Sequence, residues 1–230
     1  MKKTTLVFTS LMLFVALSLS AQKNVIKIRP ASIAAGEWNF TYERAIAGGK
    51  SVALNLSYLS HDIAGWVKPY NTSTTKLNTA DLKGYLFMPQ FRFYSGDAPR
   101  GFYFAPNLTY GSYSMTNTIT DANSLVTDGT IKIATKGIGA LIGYQWLIGG
   151  RVSIDWNFFG LGVNATTLDF TYNAVSVQAI DDATNFTNTL NNNPLFGGYV
   201  MKVNSGTITV NGPTQILPAL QTNFSLGIAF

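Results

Sequence analysis

The closing stretch Leu220-Gln221-Thr222-Asn223-Phe224-Ser225-Leu226-Gly227-Ile228-Ala229-Phe230 decides the fold. Side chains of a strand alternate between its two faces. On that period Leu220, Thr222, Phe224, Leu226, Ile228 and Phe230 share one face, while Gln221, Asn223, Ser225, Gly227 and Ala229 share the other. One face is apolar and the other is small and polar. A soluble sandwich could bury such a strand. The same alternation recurs upstream, however, and the sequence closes on Phe230, which reads as the last strand of a membrane-spanning barrel.

Composition supports that reading. The chain is 47% hydrophobic and 13% aromatic but only 12% charged, about half the charged fraction of an ordinary soluble domain. Beyond the N-terminus no apolar run is long enough for a spanning helix. Few charges, many aromatics and no such run are what a barrel in lipid requires, since its strands alternate between lipid and interior. Lys2 and Lys3, the apolar run from Leu6 to Leu19 and the small residues before Ala21 predict a cleavable transport signal over residues 1–21, leaving 22–230 as one domain. Without Lys2 and Lys3 the net charge falls from +5 to about +3, too small an excess to suggest nucleic acid.

In chain order, Ile26 and Ile28 alternate with Lys27 and Arg29 in a first strand drawn from Asn24 to Ala34. Trp38, Phe40 and Tyr42 alternate with Asn39, Thr41 and Glu43 in a second, and Val52, Leu54, Leu56 and Tyr58 mark a third. Tyr85, Phe87, Phe91 and Phe93 oppose Gln90 and Arg92 in a fourth, and Phe102, Phe104, Leu108 and Tyr110 oppose Tyr103, Ala105, Asn107 and Thr109 in a fifth. Ile138 to Trp146 and Val152 to Phe158 give a sixth and seventh, and the closing stretch makes eight. The expectation is an all-β, eight-stranded antiparallel transmembrane up-and-down barrel. Short turns at AGGK, SGDAPR and IGGR alternate with long polar connections over residues 60–80, 116–129 and 164–218, the last with room for a short helix or hairpin, the sorting expected of periplasmic turns and outer loops.

The signal, the alternating strands and terminal Phe230, with Asn39-Phe40-Thr41-Tyr42-Glu43-Arg44, Phe91-Arg92-Phe93-Tyr94 and Gly101-Phe102-Tyr103-Phe104, resemble the small outer-membrane barrel proteins of the OmpA, OmpX and OmpW type, in a Bacteroidetes branch. The resemblance implies the outer membrane of a Gram-negative bacterium, a monomer in contact with outer-membrane lipid, and recognition of Phe230, Ile228 and Leu226 by the barrel-assembly machinery. It carries over no catalytic motif.

Lys27, Arg29, Glu43, Arg92 and Asp155 all fall in the inward phase. An eight-stranded barrel is only wide enough to be filled by side chains or to hold one small ligand, and buried charges need partners. A ladder of Glu43 and Asp155 with Arg92 and Lys27 or Arg29 is therefore expected as a lumen charge network. His61 is the single histidine and reads as a solvated loop residue; with no cysteine, neither a metal, a cofactor nor an enzymatic nucleophile–base pair is expected. The functional expectation is a structural or surface-interaction role, with long loops presenting an extracellular ligand site. The alternative is a narrow, porin-like conduit for small, even apolar, solutes.

Overall fold

The computed structural model describes residues 23–46, 48–63, 75–121, 126–173, 177–193 and 197–230. The transport signal expected over residues 1–21 lies outside the described residues. The described residues form an antiparallel sheet of eleven strands, not the eight expected. They are β1 (Asn24–Ile28), β2 (Glu37–Ala45), β3 (Lys50–Asp62), β4 (Thr75–Tyr94), β5 (Gly101–Asp121), β6 (Val126–Ile148), β7 (Val152–Asn173), β8 (Val200–Asn204), β9 (Thr207–Asn211), β10 (Gln215–Leu220) and β11 (Asn223–Ala229). Two helices accompany them among the described residues, α1 (Pro30–Ala34) and α2 (Val177–Asn191). Among the described residues no helix is long and apolar enough to cross a membrane.

Each strand from β1 to β7 pairs with the next, and β11 pairs with both β7 and β1, so the pairing returns to its start. Three further strands account for the difference from eight. The last strand breaks at Gln221-Thr222 into β10 and β11, both against β7, and β8 with β9 forms a hairpin on the far end of β7. The strands are not evenly disposed about one axis, and they are unequal in length, β1 having 5 residues and β6 having 23.

Three expected boundaries need correction. The first strand stops at Ile28, because Pro30 lacks an N–H for the ladder and instead opens α1 at its first turn. Gly36 at φ 76° then reverses the chain. The connection expected over 116–129 is mostly strand and shrinks to residues 122–125, outside the described residues; that over 60–80 narrows to 63–74. The segment 164–218, read as an insertion with room for a short helix or hairpin, holds both, α2 and the β8–β9 pair, together with the end of β7 and part of β10. The contrast in loop length thus arises largely from strands that run on as Thr-, Ser- and Asn-rich ribbon.

The two faces of the sheet are opposite in character. Large apolar side chains are exposed along the whole circuit, including Trp38, Phe40, Leu56, Tyr58, Tyr85, Phe87, Phe104, Leu108, Ile138, Trp146, Trp156 and Phe224. The buried face between them is rich in Asn, Ser, Thr, Gln and ionised groups. A small apolar cluster lies apart from the circuit, where Phe170 meets Ala183, Tyr199, Ile208 and Val210 under α2.

Candidate functional site

Period-two geometry sets the site. Lys27 stands between exposed Ile26 and Ile28, Glu43 follows Tyr42, Arg92 lies between Phe91 and Phe93, and Asp155 precedes Trp156; each apolar neighbour points outward and each charge inward. Lys27, Glu43, Arg92 and Asp155 are 1% exposed or less. The structure brings these four together.

The Lys27 ammonium has three protons and donates to three acceptors: Glu43 Oε2 at 2.5 Å, Asp155 Oδ2 at 2.5 Å and Gln145 Oε1 at 2.8 Å. Arg92 Nη1 donates to Asp155 Oδ2 at 2.8 Å and to Glu43 Oε2 and Gln145 Oε1 at 3.2 Å. Its Nε and Nη2 donate to Gln90 Oε1 at 3.0 and 2.9 Å, and its guanidinium lies 4.5 Å from the Tyr103 ring centroid. The second carboxylate oxygens are also engaged. Glu43 Oε1 accepts from Ser51 at 2.5 Å and Tyr94 at 2.6 Å, and Asp155 Oδ1 accepts from Tyr103 at 2.6 Å. Tyr103 also contacts Asn157 Oδ1. Two cations and two anions balance, and every strand from β1 to β7 supplies a partner.

Glycines make the room. A Cβ on Gly227 of β11 would sit 2.7 Å from Lys27 Cγ, and one on Gly143 would sit 2.6 Å from the Tyr103 ring. Next to the network, Asn39 Nδ2 donates to Asn55 Oδ1 at 3.0 Å and to Ser57 Oγ at 2.5 Å, and Asn55 Nδ2 donates to Thr41 Oγ1 at 3.1 Å.

Arg29 stands outside the cluster. It is half-buried, its Nε has no hydrogen-bond partner, and its electrostatic neighbours are Glu37, Asp155 and Tyr113. Sequence reasoning missed Gln90, Gln145, Tyr94 and Tyr103 as partners, although strand phase already placed Gln90 and Tyr103 opposite the apolar face. His61 is on β3, not in a loop; a Cβ on Gly36 would sit 2.7 Å from its Nδ1. Among the described residues no cluster of His, Cys, Asp or Glu could hold a metal ion. Phe230 is tied down by its backbone, accepting from Asn24 N–H at 3.1 Å and donating to Asn24 O at 2.9 Å, while Ile228 and Leu226 are exposed on the apolar face.

The cluster's hydroxyls, carboxylates and cations are bound to one another, Ser51 to Glu43 and Tyr103 to Asp155. The cluster joins strands that are not neighbours: Lys27 on β1 reaches Gln145 on β6, and Arg92 on β4 reaches Glu43 on β2. Its chemistry is that of a cross-brace.

Residues 7–189 match the model of a family described as "Protein of unknown function (DUF3575)". The chain belongs to the DUF3575 family. The match takes in Lys27, Glu43, Arg92, Gln145 and Asp155, and stops before β8 to β11. No curated protein and no solved structure matches this DUF3575 chain.

Proposed function

We propose that this chain is an integral outer-membrane protein of a Gram-negative bacterium: an eight-stranded transmembrane barrel (β1 to β7 and β10/β11) that carries its projecting strands and the α2–β8–β9 module outside the cell. The role is structural or one of surface interaction. The observation that carries it is the inverted polarity of the sheet, with Trp38, Phe40, Tyr58, Phe104, Trp146 and Trp156 exposed while Lys27, Glu43, Arg92 and Asp155 are sealed inside. In water that arrangement exposes an apolar area far beyond what a soluble monomer carries; in a bilayer the same belt is the favourable face. Closure of the pairing supports the reading too, because an open sheet edge is costly in hydrocarbon.

On this reading the ion-pair network is a plug, and Phe230, Ile228 and Leu226 are read by the assembly machinery. Migration on a detergent gel tests the architecture. The folded protein is expected to run faster unboiled than boiled and to fractionate with outer membranes; a single unshifted band with soluble fractionation would refute the proposal.

A second reading, a narrow conduit for small apolar solutes, draws on two observations. On the side of the plug away from the termini the inward phase turns apolar, with Leu59, Leu82, Leu86, Ile133 and Leu168 half-buried. In addition β10 pairs with β7 alone, while the chain after β1 continues as α1 rather than as strand. Single-channel recording separates the readings: a closed wild type that opens in Arg92→Ala supports the plug, and solute flux through the wild type supports the conduit.

A further inference from the structure

The outer face of β4, β5 and β6 carries a feature that neither reading uses. Between Phe87↔Tyr110 and Phe93↔Phe104 the β4–β5 ladder keeps the single pair Gln90↔Asn107. Pro89 and Pro106 stand on these adjacent strands, and neither has an N–H to donate. The thinned ladder opens a groove of about 310 Å³ whose apolar lining is Val52, Pro89, Phe91, Pro106 and Leu108.

Cations lie beyond its upper end. Leu108 is opposite Ile138, and two residues further along β6 comes Lys136, opposite Tyr110, so Lys136 is about 7 Å past the groove's edge along the strand. Lys83 is opposite Ser114, and Ser114 is opposite Lys132, which puts those two lysines about 10 Å apart across β5. All three lysines are exposed, and they flank the outward hydroxyl residues Ser112 and Ser114. Tyr85 and Tyr110, their rings 6.3 Å apart, stand between the groove and the two lysines Lys83 and Lys132, with Tyr110 level with Lys136. The acidic groups of this face lie at its margins. Asp81 is beyond Lys83, Asp128 is four residues beyond Lys132 on β6 and accepts from Thr118, and Asp169 of β7 is directly opposite Lys132, its Oδ1 accepting from Gly212 N–H at 3.2 Å.

We infer that this strip and groove form a docking site for a phosphate-bearing membrane lipid, the phosphate held over Ser112 and Ser114 by Lys83, Lys132 and Lys136 and one acyl chain lying in the Pro89–Pro106 groove. The inference rests on the membrane-spanning reading. Charge complementarity selects an anionic headgroup, and the apolar groove on the same face, just past a pair of amphipathic tyrosines, selects a lipid over a free phosphate.

The test uses the full mature protein folded in zwitterionic micelles, with native mass spectrometry counting retained lipid. Dipalmitoyl phosphatidic acid is expected to remain as a single adduct, whereas dipalmitoylglycerol and inorganic phosphate do not. Lys83→Ala/Lys132→Ala/Lys136→Ala is expected to weaken retention by roughly a hundredfold. Leu108→Trp, which fills the groove, should weaken long-chain but not short-chain phosphatidic acid. Equal retention of the two lipids, or an unchanged affinity in the triple lysine variant, would overturn the site. Heat-modifiable migration of the same samples keeps the inferences apart: a shifted band without a lipid adduct defeats only the docking site, and an unshifted band defeats the barrel itself.

Discussion

Lys27 shows how a single side chain can brace a sheet. Its three protons meet three acceptors on β2, β6 and β7, so no donor is left unsatisfied in a place where that would be costly. Removing one partner of such a set hurts more than the pair contributes, because the remaining charge stays buried. Arg92→Ala leaves Glu43 and Asp155 with Lys27 alone, and is expected to lower stability by about 3–5 kcal/mol, read as a shifted midpoint of urea unfolding in micelles. Lys27→Met should act similarly. Adding Asp155→Asn to Lys27→Met restores charge parity, so the double variant should recover part of the loss, with a coupling of about 0.5–3 kcal/mol. Strict additivity would mean that the two side chains do not depend on each other. Gly227→Ala places a methyl group against Lys27 Cγ and Ile26 O, and should cost about 1–3 kcal/mol without changing any charge.

Strand length decides what each element can do. A spanning β-strand needs about 9–11 residues, which β2 matches with 9 while β4 to β7 run to between 20 and 23. The surplus forms ribbon beyond the apolar belt, and the β8–β9 hairpin and α2 fold onto the end of β7. In α2 the residues Ile180, Ala183, Thr187 and Leu190 recur at helical spacing, which turns one face onto the cluster around Phe170 and Tyr199. Asn191 clamps the return, its Nδ2 donating to Tyr199 O at 3.0 Å and its Oδ1 accepting from Tyr199 N–H at 2.7 Å. Phe170→Ala should therefore loosen the module at a cost of about 3–5 kcal/mol, seen as faster proteolysis within α2, while the gel shift of the circuit persists. Loss of both together would make module and circuit one cooperative unit.

At the scale of the molecule, what could be read in advance follows the contrast between faces. Phe91 and Phe93 around Arg92, or Trp156 beside Asp155, differ so sharply in polarity that period two shows through, and with it the meeting of Lys27, Glu43, Arg92 and Asp155. Past Tyr110 the outward residues become Ser112, Ser114 and Thr116. The outward face is then hydrophilic while the inward one carries Tyr113 and Met115, so the apolar-outward alternation that marks the belt loses its signal and long strand resembles loop. The break at Ile28 was hidden because Pro30 is compatible with a strand edge as well as with the first turn of a helix. The choice of Lys27 over Arg29 turns on reach within the interior, which strand phase alone does not encode.

The inverted polarity of the two faces is the claim on which the rest depends. Trp38, Trp146 and Trp156 are 56%, 41% and 48% exposed on the apolar face, so with Trp66→Phe in place the tryptophan emission reports that face alone. In bilayers whose phosphatidylcholine acyl chains carry bromine, this emission is predicted to be strongly quenched. Unquenched emission, from protein that stays folded and monomeric in detergent-free buffer, would contradict it.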